Sequence, residues 1–359
     1  MRFTLATVIT ALPLFIAAAA RPAKQRGRAV PLSKLSSLIV ADQSINFEAL
    51  NSHISATTAF FGTISIGTPP RNFAGSQCDN TCNGHAIYDP EASPTSVDLG
   101  KSFSINFVGG ASSFGNQYTD NVTVVGLTAT DQTLGAAAHY SAALQIWQFA
   151  VDGLLGMALQ SVSVFDQSPF FQTLVSQGQT DEPVFAFSLV APGPELYLGG
   201  TNPDMYTGDF TWVPGHWQVN IDSVVGNGHN VLTNVPGIMD TGSVLIHGPP
   251  SDVAAIYAAV GGTPMPSNPS FYSFPCDAVP SVSFTFGGRS FPILAETLNM
   301  GPYRSNPSQC VSSIITGHII GKSPICSRPW IVGIPFFSSV YTAFDVSNLR
   351  VGIAALPAA

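Results

Sequence analysis

The feature that most constrains this chain is a tight, carboxylate-bearing turn set between two apolar runs. Asp240-Thr241-Gly242-Ser243 follows the apolar approach at 235–239 and precedes Val244-Leu245-Ile246. Short apolar runs closed by a Gly-containing turn read as buried strands, so Asp240 is expected just beyond the end of a core strand. The tripeptide Asp-Thr-Gly occurs once in the 359 residues.

The remainder has the texture that such a turn requires. Period-two runs bounded by turn residues predict strands at 60–67, 103–107, 122–127, 185–190, 196–198, 217–221, 282–286 and 340–344. Short helices are expected at 170–177 and at 252–260, the latter after a Pro-Pro-Ser start signal. Hydrophobic residues make up 45% and charged residues only 9%, with 33 Gly and 28 Pro. That balance fits an all-β fold with a few short helices. The length allows two compact lobes. An internal echo favours two: Asp152-Gly153-Leu154-Leu155-Gly156-Met157 and Trp330-Ile331-Val332-Gly333-Ile334 each set two aliphatics before a Gly, which lets one backbone pass close to another.

The amino end reads as a secretory signal: Arg2, an apolar stretch from Leu5 to Ala20, and small residues Ala18-Ala19-Ala20 for cleavage. A membrane anchor is the competing reading, but the stretch is at the short limit for spanning. Residues 21–57 are basic, Ser-rich and without strand character, and a removable prosegment is expected there. Its basic stretch from Arg21 to Lys34 either docks on the acidic body at neutral pH or is a solvated tail. From residue 51 onward there are seven Lys/Arg against nineteen Asp/Glu. So acidic a body makes nucleic acid an unsuitable partner and suits acid surroundings, where carboxylates neutralise and few cations repel. The mature protein is expected to be secreted, with the vacuole as the alternative, to have no membrane contact after signal removal, and to be a monomer.

Five cysteines remain in this exported chain, and disulfides are the default. Cys78 and Cys82 can close a small loop, Cys276 and Cys310 a larger one, leaving Cys326 unpaired. Zinc is the alternative, but none of the seven His stands at ligand spacing from these Cys, and no metal or other cofactor is expected. Asn121-Val122-Thr123 is the one glycosylation sequon without a blocking Pro.

An ordered set of motifs resembles the pepsin-like aspartic endopeptidases, closest to the secreted fungal, polyporopepsin-like type. It comprises Phe61-Gly62-Thr63-Ile64-Ser65-Ile66-Gly67-Thr68-Pro69-Pro70, Asp152-Gly153-Leu154-Leu155-Gly156, Glu195-Leu196-Tyr197-Leu198-Gly199-Gly200, Trp217-Gln218-Val219, and Ile238-Met239-Asp240-Thr241-Gly242-Ser243. The ending Val340-Tyr341-Thr342-Ala343-Phe344-Asp345 with Arg350-Val351-Gly352 belongs to it too. The resemblance implies a bilobal all-β fold with a cleft between the lobes that takes polypeptide substrates in extended form. It divides the chain into a signal (1–20), a prosegment (21–57), an N-terminal lobe (58–200) and a C-terminal lobe (201–359). Two Asp, one from each lobe, share a proton around a water, because close like charges cannot both ionise. One draws a proton from the water while the other hydrogen-bonds the scissile carbonyl. By resemblance Asp240 is the second-lobe catalyst, supported by Thr241, Gly242 and Ser243.

The departures lie in the first lobe. Relatives carry a strand and a first Asp-Thr-Gly-Ser after the Thr-Pro-Pro turn. Here Arg71-Asn72-Phe73 runs through Ala74-Gly75-Ser76-Gln77 straight to Cys78, so about a dozen residues, two strands' worth, are missing. The N-terminal lobe is therefore incomplete. Asp79 is the nearest carboxylate but lies inside the Cys78–Cys82 loop without a Gly turn. In the flap, Phe107 stands at the position of the family's Tyr, ahead of a hairpin tip with Gly109 and Gly110, and supplies no hydroxyl. Three readings follow: an active acid endopeptidase from whose sequence a segment has been lost, a non-catalytic protein that binds peptides or proteins in the old cleft, and a dyad assembled from the second lobes of two chains.

Overall fold

In the computed structural model, the described residues are 27–35, 59–69, 78–107, 110–190, 193–317 and 329–358. β-Strand is the predominant regular structure among them. The first lobe is built on a long antiparallel meander of Val97–Asn106, Ser112–Val124 and Leu127–Tyr140, with Ser65–Ile66 on the free edge of the middle strand. The expected strand at 122–127 straddles a turn of this meander. Val125 and Gly126 have φ of 43° and 76°, the conformation that lets a two-residue loop match the strands' twist. The run at 60–67 is likewise split, into Ala59–Phe61 and Ser65–Ile66.

The second lobe contains a seven-stranded sheet in the order Arg289–Pro292, Val282–Phe286, Gln218–Gly226, His229–Met239, Trp330–Val332, Ile246–Gly248, Ile314–Thr316. A four-stranded sheet of Thr263–Met265, Asn268–Pro275, Asn306–Ser312 and Asn299–Tyr303 lies beside it in the chain. Between the lobes a six-stranded antiparallel sheet runs Arg28–Pro31, Glu195–Leu198, Val184–Ser188, Tyr341–Asp345, Arg350–Ala355, Thr207–Pro214. One reading needs correction here: residues 21–57 do contain strands. Arg28–Pro31 pairs with Glu195–Leu198, and Ser33–Leu35 pairs with Ala59–Phe61. Only Val30 in the first of these points into the core, so the segment lacks the alternation that announces a strand.

The two expected helices form, at Phe170–Ser176 and Pro250–Val260, and two one-turn helices that were not expected lie at Ala295–Leu298 and Ile334–Phe337. Aromatic rings fill the core continuously. Phe185 stacks on Phe344 at 4.9 Å between centroids, Trp217 packs edge-on to both, and Phe284, Phe286 and Phe336 continue the cluster under Trp330. Burying each such ring contributes roughly 1.5–3 kcal/mol. Exposure is uneven, however. The large apolar side chains left in solvent among the described residues, from Phe61 to Val164, all lie in the first lobe.

Candidate active site

Asp240 is placed by the crossing of strands in the seven-stranded sheet. Gly237, Ile238 and Met239 run parallel to Trp330, Ile331 and Val332, while Ile246–Gly248 flanks the same Trp330–Val332 strand on its other side. The chain therefore leaves one side of a buried strand, turns at Asp240–Ser243, and returns on the other side. The turn is fastened to the strand it crosses: Asp240 N–H donates to the Val332 carbonyl at 3.0 Å, and Ile334 N–H donates to the Ser243 carbonyl at 2.8 Å. Gly333 is the point of closest approach. A Cβ there would sit 2.1 Å from the Leu245 carbonyl oxygen and 2.4 Å from that of Ser243, so no side chain fits.

The carboxylate itself is held at both oxygens. Gly242 N–H donates to Oδ1 at 2.9 Å, and the Ser243 hydroxyl donates to Oδ2 at 2.7 Å. Thr241 occupies the turn between them. Asp240 is half-buried at the end of its strand, with its chemistry supported by local groups three residues or fewer away. Such an acceptor can hold a proton or a water. With one carboxylate it cannot divide those roles between two groups.

The first-lobe counterpart is unlike it. Aligning the echo, Leu154-Leu155-Gly156 corresponds to Ile331-Val332-Gly333, yet residues 153–157 belong to no strand. Leu154 is 60% exposed, and a Cβ on Gly153 or Gly156 would meet nothing within 4 Å. The expectation that each Gly lets a second backbone pass holds for Gly333, while at Gly156 no described backbone makes that approach. Met157 alone is tied down, its carbonyl accepting from Trp217 Nε1 at 3.1 Å. Asp152 accepts from Ala86 N–H at 2.9 Å and lies 3.7 Å from His85 Nδ1, a structural assignment.

Asp79 is committed to local bonds. It caps the short helix Asn80–Cys82, accepting from the Thr81 amide at 2.9 Å, and its other oxygen pairs with His139 Nδ1 at 2.8 Å. Those bonds, the His139 one above all, hold its carboxyl down at about 2. His139 was not legible as a partner, being 60 residues away in a meander strand with no local signal.

The hairpin expected as the flap is formed by Val97–Asn106 and Ser112–Val124. Phe107 opens its tip, accepting from Gly110 N–H at 3.2 Å and donating to the Ala111 carbonyl at 2.8 Å, and Gly110 has φ 87°. Gly109 lies outside the described residues. Disulfides join Cys78 to Cys82 and Cys276 to Cys310; Cys326 lies outside the described residues. The donor atoms of Cys78, Asp79 and Cys82 lie within 4.8 Å of one another, but the two sulfurs are bonded together and so offer no thiolate. Asn121 sits within a paired strand, not a loop, and its side-chain amide donates to Thr68 at 3.1 Å. Among the described residues no helix is long and apolar enough to cross a membrane.

Comparison with known proteins places these features together. The family model described as eukaryotic aspartyl protease matches residues 59–356. An aspartic protease of Phaffia rhodozyma is 36% identical over 284 residues, covering 76% of this chain and 67% of the relative. Penicillopepsin-3 of Penicillium janthinellum is 35% identical over 283 residues, covering 76% and 69%. Cathepsin D of Gallus gallus is 33% identical over 338 residues, covering 86% and 82%.

Proposed function

The chain belongs to the eukaryotic aspartyl protease family, and from that premise we propose that it is an acid-endopeptidase scaffold carrying one half of the catalytic pair, Asp240, and does not by itself cleave peptide bonds. The family acts on polypeptides by water activation between two carboxylates that share a proton. The observation that carries the reading is the asymmetry of the crossings. Asp240 has a complete turn, while the equivalent place beside Leu154 and Leu155 has no carboxylate-bearing turn among the described residues.

The remaining parts of the reading follow from the same chain. A secreted product with the vacuole as alternative is supported by the signal-like amino end and the disulfides. A prosegment in residues 21–57 is supported by its basic composition and by the edge position of Arg28–Pro31, which one strand's hydrogen bonds hold in place. Lobes at 58–200 and 201–359, a monomer, and extended polypeptides bound in the cleft complete it.

The test is proteolysis of a denatured protein at acid pH by purified chain beside its Asp240→Asn variant. Equal, blank-level cleavage is expected. Cleavage that Asp240→Asn removes overturns the reading. Phe107 favours a second reading, a peptide-binding protein without catalysis, because the flap has then changed independently of the dyad. Saturable binding of denatured polypeptide without turnover would support it.

A further inference from the structure

We infer that the first lobe is a strand acceptor: it takes an extended peptide from another polypeptide alongside residues 153–155, in the parallel register that Gly237–Met239 adopts beside Trp330–Val332. The inference rests on the reading that this lobe lacks its own Asp-bearing turn, and it identifies what would fill that place.

The second lobe specifies the occupant, because it shows the same two-aliphatics-and-Gly pattern with its neighbour present. There the neighbour supplies a Gly opposite Trp330, an Ile opposite Ile331 and a Met opposite Val332. Ile331 and Val332 are thereby buried, whereas Leu154 and Leu155 face solvent. Backbone polarity matches as well. The Val332 carbonyl accepts the Asp240 amide, and the Ile334 amide donates to the Ser243 carbonyl. By the alignment, the Leu155 carbonyl and the Met157 amide are the corresponding groups offered to an incoming strand. Strand addition of this kind draws affinity from main-chain hydrogen bonds and specificity from alternate side chains. The peptide chemistry is therefore a small residue, two aliphatics, then Asp-Thr-Gly-Ser.

Gly156 makes the inference testable without harming the fold. Its backbone is outside the left-handed region and a Cβ there would meet nothing described within 4 Å, so a branched Val is the substitution to place there. An incoming turn would pass it as Ser243 and Leu245 pass Gly333, and Val would then collide with backbone oxygens.

The probe is a synthetic peptide of this chain's own 234–243 sequence, Asn-Val-Pro-Gly-Ile-Met-Asp-Thr-Gly-Ser, titrated into the full chain by calorimetry at mildly acid pH. Saturable binding is expected, weakened at least about tenfold by Gly156→Val and by Leu154→Asp, with thermal stability of both variants unchanged. No binding up to about 1 mM, or binding that both substitutions leave intact, overturns the inference. Self-association that Gly156→Val abolishes, without peptide uptake, overturns it in favour of a second copy of the chain. Acid proteolysis without peptide would overturn the proposed function and with it the premise of the strand acceptor, whereas absent peptide binding would overturn the strand acceptor alone.

Discussion

Ile331 and Val332 are 3% and 0% exposed between two flanking strands, while Leu154 and Leu155, at the same places in the other lobe's pattern, are 60% and 38% exposed. The sequence patterns are alike, so aliphatic residues before a Gly do not by themselves make a strand. What makes one is a partner on each side. In the second lobe that partner is the run ending in Asp240, and the same crossing that buries the strand also orients the carboxylate. Burial of the strand and orientation of the carboxylate share one element there. In the first lobe no strand flanks residues 153–157 among the described residues, and the exposed large apolar side chains lie in that lobe.

The sharpest way to break this comparison is to add the same methyl group to both glycines. Gly333→Ala should cost more than about 3 kcal/mol, because the contacts are backbone oxygens that cannot swing away. Gly156→Ala should stay within about 0.5 kcal/mol. Urea unfolding reads both, and equal effects would refute the asymmetry. Truncating the tryptophans tests it through packing. Trp330, fully buried, should cost about 3–5 kcal/mol as Ala, and Trp147, 61% exposed, less than about 0.5 kcal/mol.

Covalent links sharpen it further. Replacing Cys276 and Cys310 by Ser opens a link across 34 residues and should cost about 2–4 kcal/mol, and the pair Cys78 and Cys82, only 4 apart, less. A smaller loss at Cys276 and Cys310 than at Cys78 and Cys82 would reverse the ranking of the lobes.

A further effect concerns the part of the first lobe that is well built. Asp120 is fully buried, and burial pushes its carboxyl up, but bonds from the Thr95, Tyr88 and Ser93 hydroxyls and the Asn121 amide outweigh this and hold it below 3.8. A group lowered by folding stabilises above its unfolded value, and that stability drains away as pH falls from 3.8 through the folded value. Asp120→Asn should cost about 1.5 kcal/mol at neutral pH and flatten the acid limb of the stability profile. An acid limb unchanged by the substitution would show that Asp120 plays no part in it.

Legibility in the sequence tracked how local the cause was. Val282–Phe286 matches its expected bounds because alternation and flanking turn residues act within a few positions. The Asp240 turn was legible for the same reason, its hydrogen bonds reaching two or three residues. Arg28–Pro31 was not, because its strand character comes from Glu195–Leu198, far along the chain, and its composition is that of a basic tail. The pairing of Asp79 with His139 and the bare flank of Leu154 are likewise long-range facts. The first needs the meander to bring two strands together, and the second needs knowledge of which neighbour is missing.

The most direct measurement restores that neighbour. A chain with a strand and Asp-Thr-Gly-Ser inserted between Phe73 and Cys78, assayed on denatured protein at acid pH, should cleave at least about 10²–10⁴-fold faster than the chain as it stands, and should lose that activity with Asp240→Asn. Equal rates for the two chains, or an unmodified chain that already cleaves through Asp240, would contradict the account.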